Sequence, residues 1–273
     1  MSKFPERLKY LRKIKGVTHM AVVIIIIIPK EEEEDVPNVL VSGSNFNSII
    51  TSAAGGNQTD VKSVEFIAPN EDASTYIPEG TTTYDVSDAK DWSIVAWDKG
   101  DGEIVVMAMN GKKIYTNTSC FGMFNNFENM ISCDLSNLDT TNTDTYTNMF
   151  NNCESLTSLD LSHFNTSKVT HMNIMFMNCK SLEELNVSTW DTSSVKVMNH
   201  MFYRCEKLTE LDLSNWNTDK VTSMRIMFAY CYGLQELNLS NFTVTSLTDC
   251  WGMFQSCNNL KTIRANDWDL SEP

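Results

Sequence analysis

The pair Met-Phe recurs six times at an interval of 26 residues, beginning at Met123, Met149, Met175, Met201, Met227 and Met253, and Cys153, Cys179, Cys205, Cys231 and Cys257 follow at one fixed phase behind it. Self-similarity at a period of about 20 to 50 residues is the mark of stacked supersecondary units, each touching only its neighbours. A chain built this way escapes the usual link between length and domain count. It also presents one surface many times over, which suits binding better than it suits a single reactive centre.

The copy from Phe176 to Met201 shows the anatomy. Its inward candidates are Phe176, Cys179, Leu182, Leu185, Val187, Trp190, Val195 and Met198. A spacing of three from Phe176 to Leu185 predicts a helical or 3-10 turn, and the spacing of two in Leu185-Asn186-Val187 predicts a strand. Equivalent strands fall at Leu159 to Leu161, Leu211 to Leu213 and Leu237 to Leu239. Side by side they would make a narrow parallel sheet with a spacing of about 4.8 Å per copy and a right-handed connection. The fold class expected is an α/β solenoid preceded by a small β-rich cap.

Three regions follow. Residues 1–37 carry a basic stretch, the apolar run Val17 to Ile28 and then Glu31 to Asp35, an order similar to a secretory signal but without a small-x-small cleavage site. The run is too short to span a bilayer as a helix, which needs about 20 residues. An alternative is that Phe4 to Gly16 imitates the first helix of a phage-repressor-like domain. Residues 38–118 contain strand-like stretches at Val61 to Ile67, Trp92 to Trp97 and Ile104 to Met109, the last two joined by the turn signal Asp98-Lys99-Gly100-Asp101-Gly102. This region is placed to cover the open end of the array. Residues 119–273 are the six-copy array; its last copy drifts and reaches Pro273 without an evident second cap, so an apolar end there would invite self-association.

The eight cysteines do not read as disulfide or zinc ligands. Five hold the repeat phase, Cys120 and Cys250 stand where other copies have Tyr146, Met172, Met198 and Met224, and Cys133 stands where others have Leu159, Leu185, Leu211 and Ile263. All eight are therefore expected to point inward as small hydrophobes. A formal charge of -14 argues against nucleic acid, whose phosphates call for a basic face.

Strand residues between the inward ones must point out of the sheet. This selects Ser158, Asp160, Glu184, Asn186, Glu210, Asp212, Glu236 and Asn238 as two polar rows that could take a basic or polar partner. The aromatic row Phe164, Trp190, Trp216, Phe242 and Trp268 would be a sugar- or peptide-binding strip if exposed and a core corner if buried; its fixed phase and the Leu138 substitution favour burial. The row Thr166, Thr192 and Thr218, beside Asn165, Asp191 and Asn217, is expected to make local turn bonds. His19, His163, His171 and His200 share no phase, and no nucleophile elbow, phosphate loop or dinucleotide fingerprint occurs. No catalytic residue, metal ligand or cofactor is expected.

The text LTSLDLSHFNTSKVTHMNIMFMNC, from Leu156 to Cys179, resembles the BspA-like leucine-rich-repeat surface proteins and the mycoplasma lipoprotein-type repeat of unknown function. The stretch from Tyr84 to Tyr115 also looks like the segment that leads into such arrays. The resemblance implies a leucine-rich-repeat-like coil on a bacterial surface, or secreted, that makes adhesive or other protein contacts. Its partner would be a protein or glycan on a host or neighbouring cell. The competing expectation is a cytoplasmic interaction scaffold from a mobile or phage-like element.

Overall fold

The structure is a computed structural model, and it describes residues 37–68 and 76–266. The signal-like stretch and Trp268 lie outside the described residues. The chain begins with strand β1 (Asn38–Val39), helix α1 (Gly43–Ala53), a 3-10 turn (Gln58–Asp60) and strand β2 (Ser63–Ile67). Four more strands follow before the repeats: β3 (Tyr84–Asp85), β4 (Ile94–Asp98), β5 (Glu103–Ala108) and β6 (Ile114–Tyr115). The repeats carry β7 (Ser132–Asp134), β8 (Leu138–Asp139), β9 (Ser158–Asp160), β10 (Glu184–Asn186), β11 (Glu236–Leu239) and β12 (Thr262–Ala265).

The expected hairpin is present, with β4 antiparallel to β5 across a turn where Gly100 N–H donates to Asp98 Oδ1 at 2.8 Å. Its sheet has the order β3-β4-β5-β2-β7, so the cap joins the first copy through the parallel pair β2–β7. A second parallel sheet, β1-β6-β8, makes the same connection on another side. Helix α1 is an element the sequence conceals, because Ser, Asn, Thr and Ile are indifferent helix formers. Packing holds it instead: Phe46 and Ile50 are fully buried one turn apart, and the Phe46 ring lies 5.8 Å from Phe66 and 6.0 Å from Phe124. Gly43 permits this approach, since a Cβ there would sit 2.6 Å from the Cys120 backbone carbon.

Beyond the cap, successive copies lie side by side. Parallel bridges run from Ser119 to Thr145, His171, Val197, Ser223 and Asp249 in turn. The Met-Phe segments are tied in the same way, with Phe124 N–H donating to Met149 O at 2.8 Å and the Phe150, Phe176, Phe202 and Phe228 amides donating to the next Met carbonyl at 2.9 Å. The segment that carries each Met-Phe pair makes the expected turn as separate i+3 turns, with Cys179 N–H donating to Phe176 O and Leu182 N–H to Cys179 O at 3.2 Å, and not as a continuous helix. Left-handed residues punctuate it twice per copy, at Asn148, Ile174, His200 and Ile226 (φ 56 to 63°) and again at Asn152, Asn178, Arg204 and Tyr230 (φ 59 to 63°). Right-handed helix cannot pass through such positions. Among the described residues the repeats contain turns and short strands only, and α1 is the one α-helix.

The interior matches the expected phases and adds polar detail to them. Phe124, Phe150, Phe176, Phe202, Phe228 and Phe254 form a continuous stack with centroid separations of 5.0 to 5.7 Å and interplanar angles of at most 15°. Phe164, Trp190, Trp216 and Phe242 are buried, so this row is core and not a binding strip. Trp190 and Trp216 lie 5.9 Å apart, and their indole N–H groups donate to Leu161 O and Val187 O of the preceding copy. The thiols do more than fill space. Cys153, Cys179, Cys205, Cys231 and Cys257 each donate to the Phe carbonyl of the preceding copy at 2.9 to 3.2 Å. Burial pushes Cys179 up to about 12 and Cys205 well above its usual range, so these thiols stay protonated.

The threonine row also differs from expectation. The local turn bonds belong to its neighbours: Asn165, Asp191 and Asn217 each accept from the backbone two residues on. Thr166, Thr192 and Thr218 are buried and donate across to the next copy, at Asp191 O, Asn217 O and Thr243 O. Their hydroxyls satisfy backbone groups that a wholly apolar interior would orphan.

Two expectations fail at particular places. Cys250 is exposed despite its inward phase, and Leu247, Phe254, Cys257 and Leu260 are only partly buried. They belong to the last described copy, on which no further described copy packs. The strand series is also interrupted. β9 pairs with β10 and β11 with β12, but Glu210–Asp212 forms no strand with either neighbour. One copy further on, at the corner before β11, Gly233 stands where other copies carry a side chain, and a Cβ there would lie 2.7 Å from Leu208 O.

Candidate functional site

The strand segments place all eight selected residues outward. Ser158, Asp160, Glu184, Asn186, Glu210, Asp212, Glu236 and Asn238 are exposed, while Leu159, Leu211 and Leu237 beneath them are buried and Leu185 is half-buried. The alternation of inward Leu and outward polar side chains is the pleat of a half-buried strand. In-register pairing brings Ser158 beside Glu184 and Asp160 beside Asn186. Glu236 and Asn238 stand beside Thr262 and Arg264. Glu210 and Asp212 lie between these two groups, outside any ladder.

The two rows differ in chemistry. Asp160, Asn186, Asp212 and Asn238 turn back on their own chain, each accepting from the amide of Ser162, Ser188, Ser214 or Ser240. These are Asx turns that end the strand. The backbone bond from Ser162 holds Asp160 below its ordinary carboxylate range, and the side-chain and backbone bonds from Ser214 do the same for Asp212. The other row, Ser158, Glu184, Glu210 and Glu236, is the freer one for an incoming partner.

Residues that the repeat pattern did not reveal extend this surface. Ser132 and Asp134 on β7 are exposed and pair in register with Ser63 and Glu65 on β2, so polar positions continue into the cap sheet. At the far end Arg264 lies 3.7 Å from Glu236 and offsets its charge. The degenerate first copy and the drifting last copy hide these positions from a search for the consensus.

A cleft between the cap and the first copies is lined by Asp88, Asn117, Asp144 and Lys168. It contains no nucleophile paired with a base. His163 turns its Nε2 to Leu135 O at 2.9 Å, which occupies that ring nitrogen. Among the described residues no group of three or more His, Cys, Asp or Glu is placed to hold a metal ion, and no helix is long and apolar enough to cross a membrane.

A family model described as "Mycoplasma protein of unknown function, DUF285" matches residues 118–211 and again 183–273. The two matches together cover more than half of the chain and coincide with the repeat array. No curated protein and no solved structure matches the chain.

Proposed function

The chain belongs to the DUF285 family of Mycoplasma proteins of unknown function, and we propose that its array is a right-handed, leucine-rich-repeat-like solenoid that binds a macromolecular partner without catalysing a reaction. The reading places the protein at the cell surface or in the medium, where it adheres to a protein or glycan on a host or neighbouring cell. The observation that carries it is the row Ser158, Glu184, Glu210 and Glu236, exposed at one phase above a leucine layer. Such a row repeats one contact along an extended partner, which raises the effective concentration of each successive contact. The BspA-like sequence character supports the same reading.

The test replaces Glu184, Glu210 and Glu236 together by Ser. Adhesion of the labelled protein to host cells should fall by about tenfold or more, equivalent to ~1.4 kcal/mol or above, while the far-UV CD stays unchanged. Adhesion equal to that of the native chain would remove these residues from the site.

A further inference from the structure

The turn segment that carries each Met-Phe pair offers a second outward surface, and its character changes along the array. In the early copies it is an amide ladder: Asn151 donates to Asn125 at 2.9 Å, Asn152 to Asn126 at 2.7 Å and Asn178 to Asn152 at 2.7 Å. In later copies the Asn178 phase holds Arg204 and then Tyr230, and the Asn151 phase holds Met177 and then Tyr203. The Arg204 guanidinium lies 5.7 Å from the Tyr203 ring centre and 5.3 Å from that of Tyr230. Tyr232 extends the cluster, 6.1 Å from Tyr230. At the other end of the same segment, Arg225 lies 4.4 Å over Trp251, a residue that is 57% exposed.

Arg204 is the anomaly in this cluster. Of the arginines among the described residues, Arg225 has Asp249 at 3.8 Å and Arg264 has Glu236 at 3.7 Å, but no described carboxylate lies within 4.0 Å of Arg204. Its Nε atom is buried without a hydrogen-bond partner. A chain with 35 acidic and 21 basic side chains has carboxylates to spare, so the unmatched guanidinium is a feature of this one place. Two neighbouring rings offset part of the cost of half-burying a charge.

We propose that Tyr203, Arg204, Tyr230 and Tyr232 form a docking surface for a polypeptide that presents a carboxylate to Arg204. The planar guanidinium matches a carboxylate through two parallel hydrogen bonds, and Tyr, Trp and Arg are the side chains that concentrate binding energy in protein interfaces. A peptide fits better than a sugar because the rings do not form one flat platform. Tyr203 and Tyr230 meet at 73°, and Tyr230 and Tyr232 at 86°, so they wall small recesses suited to branched or aromatic side chains. A monoanionic carboxylate fits better than a phosphate because the net charge of -14 repels a dianion more strongly. This surface is separate from the glutamate row and stands or falls independently of it.

The test pans a displayed library of random dodecapeptides on the full chain and measures a recovered peptide by fluorescence anisotropy. The recovered sequences should share an Asp or Glu beside an aromatic or aliphatic residue. Arg204→Gln should weaken the peptide by about tenfold or more, and Arg204→Lys should restore only part of the loss because it lacks the fork. Changing the acidic residue of the peptide to its amide should produce the same loss on the unaltered protein, which keeps the test valid if the variant folds poorly. A library that yields no binder, binders without an acidic residue, or a peptide that tolerates the amide change would overturn the proposal.

Discussion

Trp216 offers the sharpest mutational test of the interior. Its side chain is completely buried, its ring lies 5.9 Å from Trp190 and 6.4 Å from Phe242, and its indole N–H donates to Val187 O at 3.2 Å. Truncation to Ala removes the ring from a site that two flanking copies hold rigid, and buried Trp or Phe truncations cost about 3 to 5 kcal/mol. The lost hydrogen bond adds about 1 kcal/mol, so Trp216→Ala should cost roughly 4 to 6 kcal/mol. Phe occupies this phase naturally at Phe164 and Phe242, so Trp216→Phe should lose little beyond the hydrogen bond and some contact area, about 1 to 2 kcal/mol. Copies touch only their neighbours, so the damage should also be directional: the copies after Trp216 should unfold at lower urea than the cap and the copies before it. Urea titration followed by far-UV CD, with segmental protection from hydrogen exchange, measures both effects. An Ala variant within about 0.5 kcal/mol of native, the range of ordinary surface substitutions, would mean that the ring is exposed and the reasoning is wrong.

Two other outcomes follow from the same interior. Thiol labelling of the native protein should modify Cys250 readily and leave Cys153, Cys179, Cys205 and Cys231 unmodified until denaturant is added; fast labelling of the four would contradict their burial. At Ile174, whose φ is 63°, Gly should be more stable than Ala by about 1 kcal/mol, the reverse of their order in a helix or strand, and equal midpoints in urea would refute the left-handed backbone there.

The legible part of this chain was whatever six copies repeat. Met, Phe, Cys, Leu and aromatic positions announce an interior because each is stated again 26 residues later, and the polar residues between the leucines are outward by pleat alone. What escaped depends on a neighbour rather than on a phase. Cys250 has an inward phase but no described copy beyond it, and Glu210–Asp212 has strand sequence but pairs with neither neighbouring strand. Helix α1 escaped because Phe46 and Ile50 create it by packing on Phe66 and the first copy, against weak local propensity. The candidate site was half legible in the same sense. All eight residues are exposed, yet the engagement of Asp160, Asn186, Asp212 and Asn238 in Asx turns depends on serines two positions on. The Tyr203–Arg204–Tyr230 cluster escaped because it breaks the consensus it sits in, and a search for repetition passes over singular residues.

Every surface row described above rests on successive copies lying side by side at one 26-residue register, and a distance measured in solution tests that most directly. Glu128 and Asn258 are both exposed, share one phase and stand five copies apart. Spin labels at these two sites, in a background where Cys133, Cys250 and Cys257 are replaced by Ser, should give a single narrow distance near 24 Å, from five steps of about 4.8 Å each. A broad distribution centred well beyond ~35 Å would mean that the copies are not packed in register, and the account of both interior and binding rows would fall with it.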